Sequence, residues 1–302
     1  MKKGALLLGL LACFAFAKAQ DIDSLYQVFE RGRGEAAYHA AVAIDESLRH
    51  EPNFDADTDK DEIQRKLLRT MTLANAYQRF GQLDKALECY NRCSDLMDEI
   101  GGEMAAVNKR YVMNNIAEIH LSMDEYGRAE ELYRKCIEML GEVGDADTAS
   151  NLDMATYLQN LAEVRLAEAG VADSLARALK LAEAVGFAQR SLDLSQRYAD
   201  TPHKIVNRMT ALSKATFQMG RTDEGLALME QALGIAEENG DVFMEAVSHV
   251  QRGQFERRLH HNAEAEMDFQ KAIAIAEENH FAEVLQEALE SIVPVVRPRN
   301  PE

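Results

Sequence analysis

After Gln20, apolar residues recur at three- and four-residue spacing along nearly the whole chain, with Ala and Leu abundant among them. That is the period of an amphipathic helix. Proline is confined to Pro52, Pro202, Pro294, Pro298 and Pro301, and no run of alternating β-branched residues marks a strand. The expected class is all-α. A second period, of about 40 residues, is superimposed on the first. Its clearest copy is Leu73-Ala74, Tyr77, Gly81, Ala86, Tyr90 and Cys93. It returns as Ile116-Ala117, His120, Ala129, Tyr133 and Cys136, then as Leu212-Ser213, Gly220, Gly225, Met229 and Ala232. A looser copy is Gly253, Ala265, Phe269 and Ala272. The gap of 13 from Leu73 to Ala86 is repeated from Ile116 to Ala129, Leu212 to Gly225 and Arg252 to Ala265. A leading pair and a small residue at a fixed gap predict helix–turn–helix units stacked as a solenoid. Small residues belong where two helices cross closely, and Leu, Ile, Tyr and Phe fill the space between them. The turns fall near Gly81, Asp124, Gly220 and His260.

This pattern divides the chain. Residues 20–62 read as a degenerate first unit, in which Ala36, Ala40, Ala43 and Ile44 keep the second-helix spacing, followed by an acidic loop. The solenoid runs over 63–293, with about five repeats and a last amphipathic helix, Phe281 to Val293, covering its end. Its fourth unit is irregular: Leu161-Ala162 leads Ala184 by 23 residues. The extra ten lie around Gly170 to Leu179, where Ala-Arg-Ala-Leu-Lys favours longer helices with a protruding turn. Residues 294–302 are a proline-rich tail.

Lys2 and Lys3, the apolar run Ala5 to Ala17, and Ala17-Lys18-Ala19 before Gln20 have the form of a signal peptide over 1–19, too short to span a bilayer. The expected location is the periplasm; Leu10-Leu11-Ala12-Cys13 leaves lipid anchoring through Cys13 as the alternative. No other long apolar run is present, so no transmembrane segment is expected. Losing Lys2, Lys3 and Lys18 with the leader takes the net charge from −18 to about −21. Such a surface repels phosphates, which argues against nucleic acid and for a protein partner of neutral or basic character.

Cys89, Cys93 and Cys136 remain, an odd number in repeat positions that want small apolar residues, and read as core packing. Asp55, Asp57, Asp59 and Asp61 alternate, but a calcium loop counted from Asp55 would have Lys60 and Lys66 at its glycine and glutamate places. The histidines show no zinc-binding spacing, with His260-His261 adjacent and no HExxH. No nucleophile motif, phosphate loop or carboxylate pair at acid–base spacing stands out. Neither enzyme activity, cofactor nor metal is expected.

The repeat resembles the tetratricopeptide repeat, and its best units resemble the long form found in kinesin light chains. The resemblance covers residues 63–280. It is most specific in Met113-Asn114-Asn115-Ile116-Ala117-Glu118 with Tyr126-Arg128-Ala129-Glu130-Tyr133, and in Leu158-Gln159-Asn160-Leu161-Ala162-Glu163. It implies a right-handed superhelix of antiparallel helix pairs whose first helices line a concave groove. In kinesin-light-chain-like members an asparagine before the Leu/Ile-Ala pair holds the backbone of an extended peptide. Asn115 and Asn160 match that slot, while Thr72, Ala211 and Gln251 interrupt it. Residues three or four apart on each first helix share a face. This makes Asn75 and Arg79; Tyr111, Asn115 and Glu118; Thr156, Asn160 and Glu163; Asn207 and Lys214; and Gln251, Gln254 and Arg258 the candidate groove. The expected function is a cell-envelope adaptor or scaffold binding a protein or extended peptide. The alternative is a sensory input module or regulator of an envelope signalling pathway.

Overall fold

The computed structural model describes residue 40, residues 42–44 and residues 60–296. The expected leader with Cys13, most of the first unit, the loop carrying Asp55, Asp57 and Asp59, and residues 297–302 lie outside them. The chain divides into two compact units, residues 1–132 and 133–302.

The first unit holds α1 (Lys60–Arg79), α2 (Leu83–Ile100), α3 (Gly102–Ser122) and the start of α4 (Tyr126–Leu140). α1 packs on α2 and α2 on α3. Leu73, Ala74, Tyr77, Ala86, Tyr90 and Cys93 are all buried at their crossings, as are Ile116, Ala117 and Ala129. Ala40 and Ile44 are buried in the same core, beside Ile63 and Leu67. The α1–α2 turn reverses at Gly81 with φ +68°, a left-handed conformation that a side chain would strain.

The second unit holds the rest of α4, then α5 (Thr148–Val171), α6 (Ser174–Arg197), α7 (Pro202–Gln218), α8 (Thr222–Asn239), α9 (Val242–Arg258), α10 (Asn262–Asn279) and α11 (Ala282–Val296). They pack in chain order as α5 on α6, α7 on α8 and α9 on α10, with α11 against both α9 and α10. The ten inserted residues lengthen the fourth pair, since α5 and α6 are 24 residues each. Side-chain caps start several helices. Asp147 accepts from Ser150 N, Asp173 from Leu175 N and Ala176 N, and Asp241 from Met244 N, each satisfying an otherwise unpaired amide. α7 begins with Thr201 as cap and Pro202 in its first turn, where the missing N–H costs nothing. α11 continues to Val296, with Pro294 in its last turn.

The small-residue slot makes the closest approach at Gly225. A Cβ there would stand 2.7 Å from Phe217 Cβ and 3.0 Å from its Cα. Other pairs tolerate alanine in this slot, at Ala86, Ala129, Ala184 and Ala265, all fully buried. Phe217 in turn stacks on Phe255, with ring centroids 4.1 Å apart, so α7 and α9 are joined by aromatic contact. Among the described residues all regular elements are helices, and none is long and apolar enough to cross a membrane.

Candidate partner-binding face

In the first unit, Tyr90 on α2 is completely buried, and its hydroxyl must find partners inside the fold. It donates to Asn75 Oδ1 at 2.5 Å, with Gln78 Oε1 at 3.0 Å, and accepts from Asn115 Nδ2 at 3.1 Å. Burial pushes the Tyr90 phenol well above its ordinary pKa, so the hydroxyl keeps its proton. Asn114 Nδ2 donates to Glu118 Oε1 at 2.8 Å and lies 3.5 Å from Asn115 Oδ1. Three residues nominated by their spacing, Asn75, Asn115 and Glu118, thus meet in one polar cluster binding α1, α2 and α3. Asn115 is buried, and its amide nitrogen points at Tyr90. Tyr111 and Arg79 are exposed on α3 and α1.

In the second unit, α5 adjoins α7, α7 adjoins α9, and α9 adjoins α11, so the first helices stand side by side. Each exposes a narrow stripe. On α5 it runs through Thr156, Asn160, Glu163 and Ala167, of which Glu163 is exposed and the others half-buried. On α7 it is Asn207, Lys214 and Gln218; between Arg208 and Phe217 everything except Lys214 is buried. On α9 it is Val247, Gln254 and Arg258, with Gln251 buried among them. Gln251 and Gln254 both donate to Glu287 Oε1 of α11, at 3.2 and 3.0 Å, and Gln254 also reaches Ser291 Oγ at 3.3 Å. These amides therefore tie the last helix down. Gln159 Nε2 lies 3.5 Å from Glu163 Oε1. The face is polar, with carboxylates at Glu163 and Glu287 and cations at Lys214 and Arg258.

Beneath it lies a network that the spacing did not reveal. Arg208 is 2% exposed and uses every edge of its guanidinium. Nη1 donates to Asp200 Oδ2 at 2.8 Å, Nε to Ser191 Oγ at 3.1 Å and Nη2 to Thr156 Oγ1 at 3.1 Å. Ser191 Oγ passes the chain on to Ala155 O at 2.6 Å, and Ser195 Oγ donates to Asp200 Oδ2 at 3.0 Å. One side chain thus holds α5, α6, the α6–α7 loop and α7 in register. Burial lowers the Arg208 pKa, and the charge and hydrogen bond of Asp200 oppose that. The signal in the sequence was slight: Arg208 stands four residues before Leu212, on the face the leading pair buries.

A second buried network links α9 and α10. Asp268 accepts from Arg252 Nε and Nη2, at 2.9 and 2.6 Å, and His249 Nδ1 lies 2.9 Å from its Oδ1. Burial alone would raise the Asp268 carboxyl. The hydrogen bonds from Arg252 and His249, with the charge of Arg252, outweigh it and hold the group below its ordinary value. The fold also brings together three residues that sequence reading left apart, Glu237, Glu245 and His249, with one ligand atom of each within 4.8 Å of the others.

Helix pairs stacked in chain order over small-residue crossings define a helical-repeat scaffold. Residues 66–142 match the family model of the tetratricopeptide repeat. No curated protein matches the chain. Solved structures do. Aspartyl phosphate phosphatase F from Bacillus subtilis superposes with a TM-score of 0.62 at 11% identity, over 91% of this chain and 73% of that one. A Rap protein complexed with competence and sporulation factor gives 0.58 at 17%, over 91% and 69%. Nearly identical TPR-like repeats assigned to a Podosopora anserina kinesin light chain give 0.53 at 15%, over 72% and 97%. At such identities the likeness is one of fold. Residues 66–142 carry the tetratricopeptide repeat, and the likeness to these structures extends its fold along the chain, a scaffold suited to protein–protein interaction.

Proposed function

We propose that the chain is an exported adaptor that binds an extended protein segment across the first-helix face of α5, α7 and α9. The observation that carries this reading is that three adjoining helices each leave a mainly polar stripe accessible along their middle turns. On this reading Asn160, Asn207 and Lys214 hold the peptide main chain, and the charges of Glu163 and Arg258 select its side chains. The Rap protein of similar fold was solved with a bound factor, which supports a ligand-binding use of this architecture. Lys2, Lys3 and the apolar run after them support export to the periplasm. A net charge of −18 favours a basic segment, and its binding weakens with salt. A polar face of this size gives affinities of about 1 µM, or roughly −8 kcal/mol.

Selection of random peptides displayed on phage against the purified chain tests this. The expected result is a family of related, net-basic peptides whose affinity falls at least tenfold for Asn160→Ala/Glu163→Gln/Asn207→Ala. Enriched peptides that bind the folded triple variant as tightly as the wild type overturn the placement on this face.

A further inference from the structure

We infer that Glu237, Glu245 and His249 form a binding site for a divalent transition-metal ion, with Zn2+ its best-suited occupant. The inference is independent of the peptide-binding reading. Glu237 lies in the last turn of α8, and Glu245 and His249 are four apart on α9, one above the other on the same face. One ligand atom of each lies within 4.8 Å of the other two. A tetrahedral zinc site with ligand bonds of about 2.1 Å sets its donors about 3.4 Å apart. Closing the difference takes about 1 Å of movement, which exposed Glu237 and half-buried Glu245 can make by side-chain rotation.

The histidine is built as a ligand. His249 is 1% exposed, and its Nδ1 is engaged with Asp268 Oδ1. Asp268 is fixed in turn by the two-point contact of Arg252. A carboxylate accepting from Nδ1–H leaves the lone pair of the neutral imidazole on Nε2, and it orients the ring as the outer partner of a metal-bound histidine does. Neither Glu237 nor Glu245 forms an ion pair with a lysine or arginine among the described residues. Two carboxylates therefore lie beside the imidazole of buried His249, neither paired to a lysine or arginine among the described residues. The carbonyl end of α8 adds negative potential, which disfavours Glu237 and favours a bound cation.

Comparison between repeats shows that this is a local departure from the core pattern. The slot three residues before the first member of the leading pair, filled here by His249 ahead of Arg252, holds Thr70, Met113, Leu158 and Met209 elsewhere, all buried. The Asp268 slot, three after the small residue, holds Cys89, Leu132, Phe187 and Leu228. The Arg252 slot holds Leu73, Ile116, Leu161 and Leu212. One helix pair thus replaces three packing residues with an Arg–Asp–His chain, its Asp and His buried, that leads to two carboxylates. Buried polar residues of this sort cost stability unless they are paired, and their use here is to aim one nitrogen at a cation. One imidazole and two carboxylates suit Zn2+ better than the all-oxygen preference of Mg2+ or Ca2+.

The test is calorimetric titration of the chelator-treated chain with zinc sulfate at neutral pH, beside the Glu237→Gln and His249→Met variants. Methionine already fills the His249 slot at Met113 and Met209, and Glu237 is exposed, so both variants retain the fold. The expected result is one Zn2+ per wild-type chain with a Kd below about 10 µM, at least tenfold weaker binding in Glu237→Gln, none at that site in His249→Met, and no heat with magnesium. The nitrogen NMR signal of His249 Nε2, not of Nδ1, shifts on zinc addition. Absence of zinc heat in the wild type, or wild-type affinity in both variants, overturns the assignment.

Discussion

Replacing Arg208 with methionine probes how far a single buried network sets the spacing of the second unit. The guanidinium makes a charged hydrogen bond to Asp200 and two bonds to the hydroxyls of Ser191 and Thr156. The first contributes about 1.5–3 kcal/mol and the others about 0.5–1.5 kcal/mol each, and loss of the guanidinium leaves the buried Asp200 carboxylate with Ser195, the Thr201 amide and the more distant Lys204 Nζ at 4.0 Å. The sum is about 2.5–6 kcal/mol, which brackets the about 3–5 kcal/mol found for breaking a buried ion pair from one side. Methionine returns part of this through apolar packing, so the expected loss is about 3 kcal/mol, or a fall in Tm of about 6–12 °C. Urea and thermal unfolding followed by far-ultraviolet circular dichroism measure it. Adding Asp200→Leu removes the stranded charge and recovers at least about 1 kcal/mol of the loss, because an apolar pair of similar volume replaces an ion pair at little cost. A loss below about 1 kcal/mol for Arg208→Met, or no recovery in the double variant, refutes the reasoning.

Other consequences follow from the packing and the titrating groups. Gly225→Ala places a methyl 2.7 Å from Phe217 Cβ, against backbone that cannot yield; overpacking of about 1–3 kcal/mol outweighs a helix-propensity gain of up to about 1 kcal/mol, giving a net loss in urea unfolding. Asp268 is depressed in the folded state, so its contribution is fully present above the unfolded pKa of about 3.9 and is lost as pH falls through the folded value; Asp268→Asn lowers stability at neutral pH and flattens the decline below about pH 4 in pH-dependent melting. Cys89, Cys93 and Cys136 are fully buried, and burial pushes the Cys93 thiol up, so mass spectrometry after iodoacetamide finds all three unlabelled in the native chain and labelled in denaturant.

Much of the fold was legible in a single gap of 13 residues. The residues that define it, from Leu73-Ala74 to Ala272, are buried at helix crossings, with Arg252 the departure. The turns read from Gly81, Asp124, Gly220 and His260 all reverse through positive φ, two of them without glycine. The irregular gap of 23 emerged as two lengthened helices. The candidate face was less legible, because helical spacing says which residues share a side but not which way an amide turns. Asn115 follows Asn114 and precedes Ile116, and only the completely buried hydroxyl of Tyr90, 25 positions away, explains why its amide nitrogen points inward. Asn160 lies in the matching slot of α5, half-buried on the accessible stripe. The buried charges were legible only as interruptions of an apolar pattern. Arg208 meets Asp200 across a helix start, and Asp268 meets His249 across a helix pair, contacts that depend on tertiary closure rather than period.

The most direct test of the binding account is hydrogen–deuterium exchange on the chain with and without a selected peptide. Bound peptide should slow exchange along the accessible sides of α5, α7 and α9, around Asn160, Asn207, Lys214 and Arg258, and leave α6, α8 and α10 unchanged. Protection confined to α6, α8 and α10, or to the α5–α6 tip around Val171 and Leu175, would contradict it.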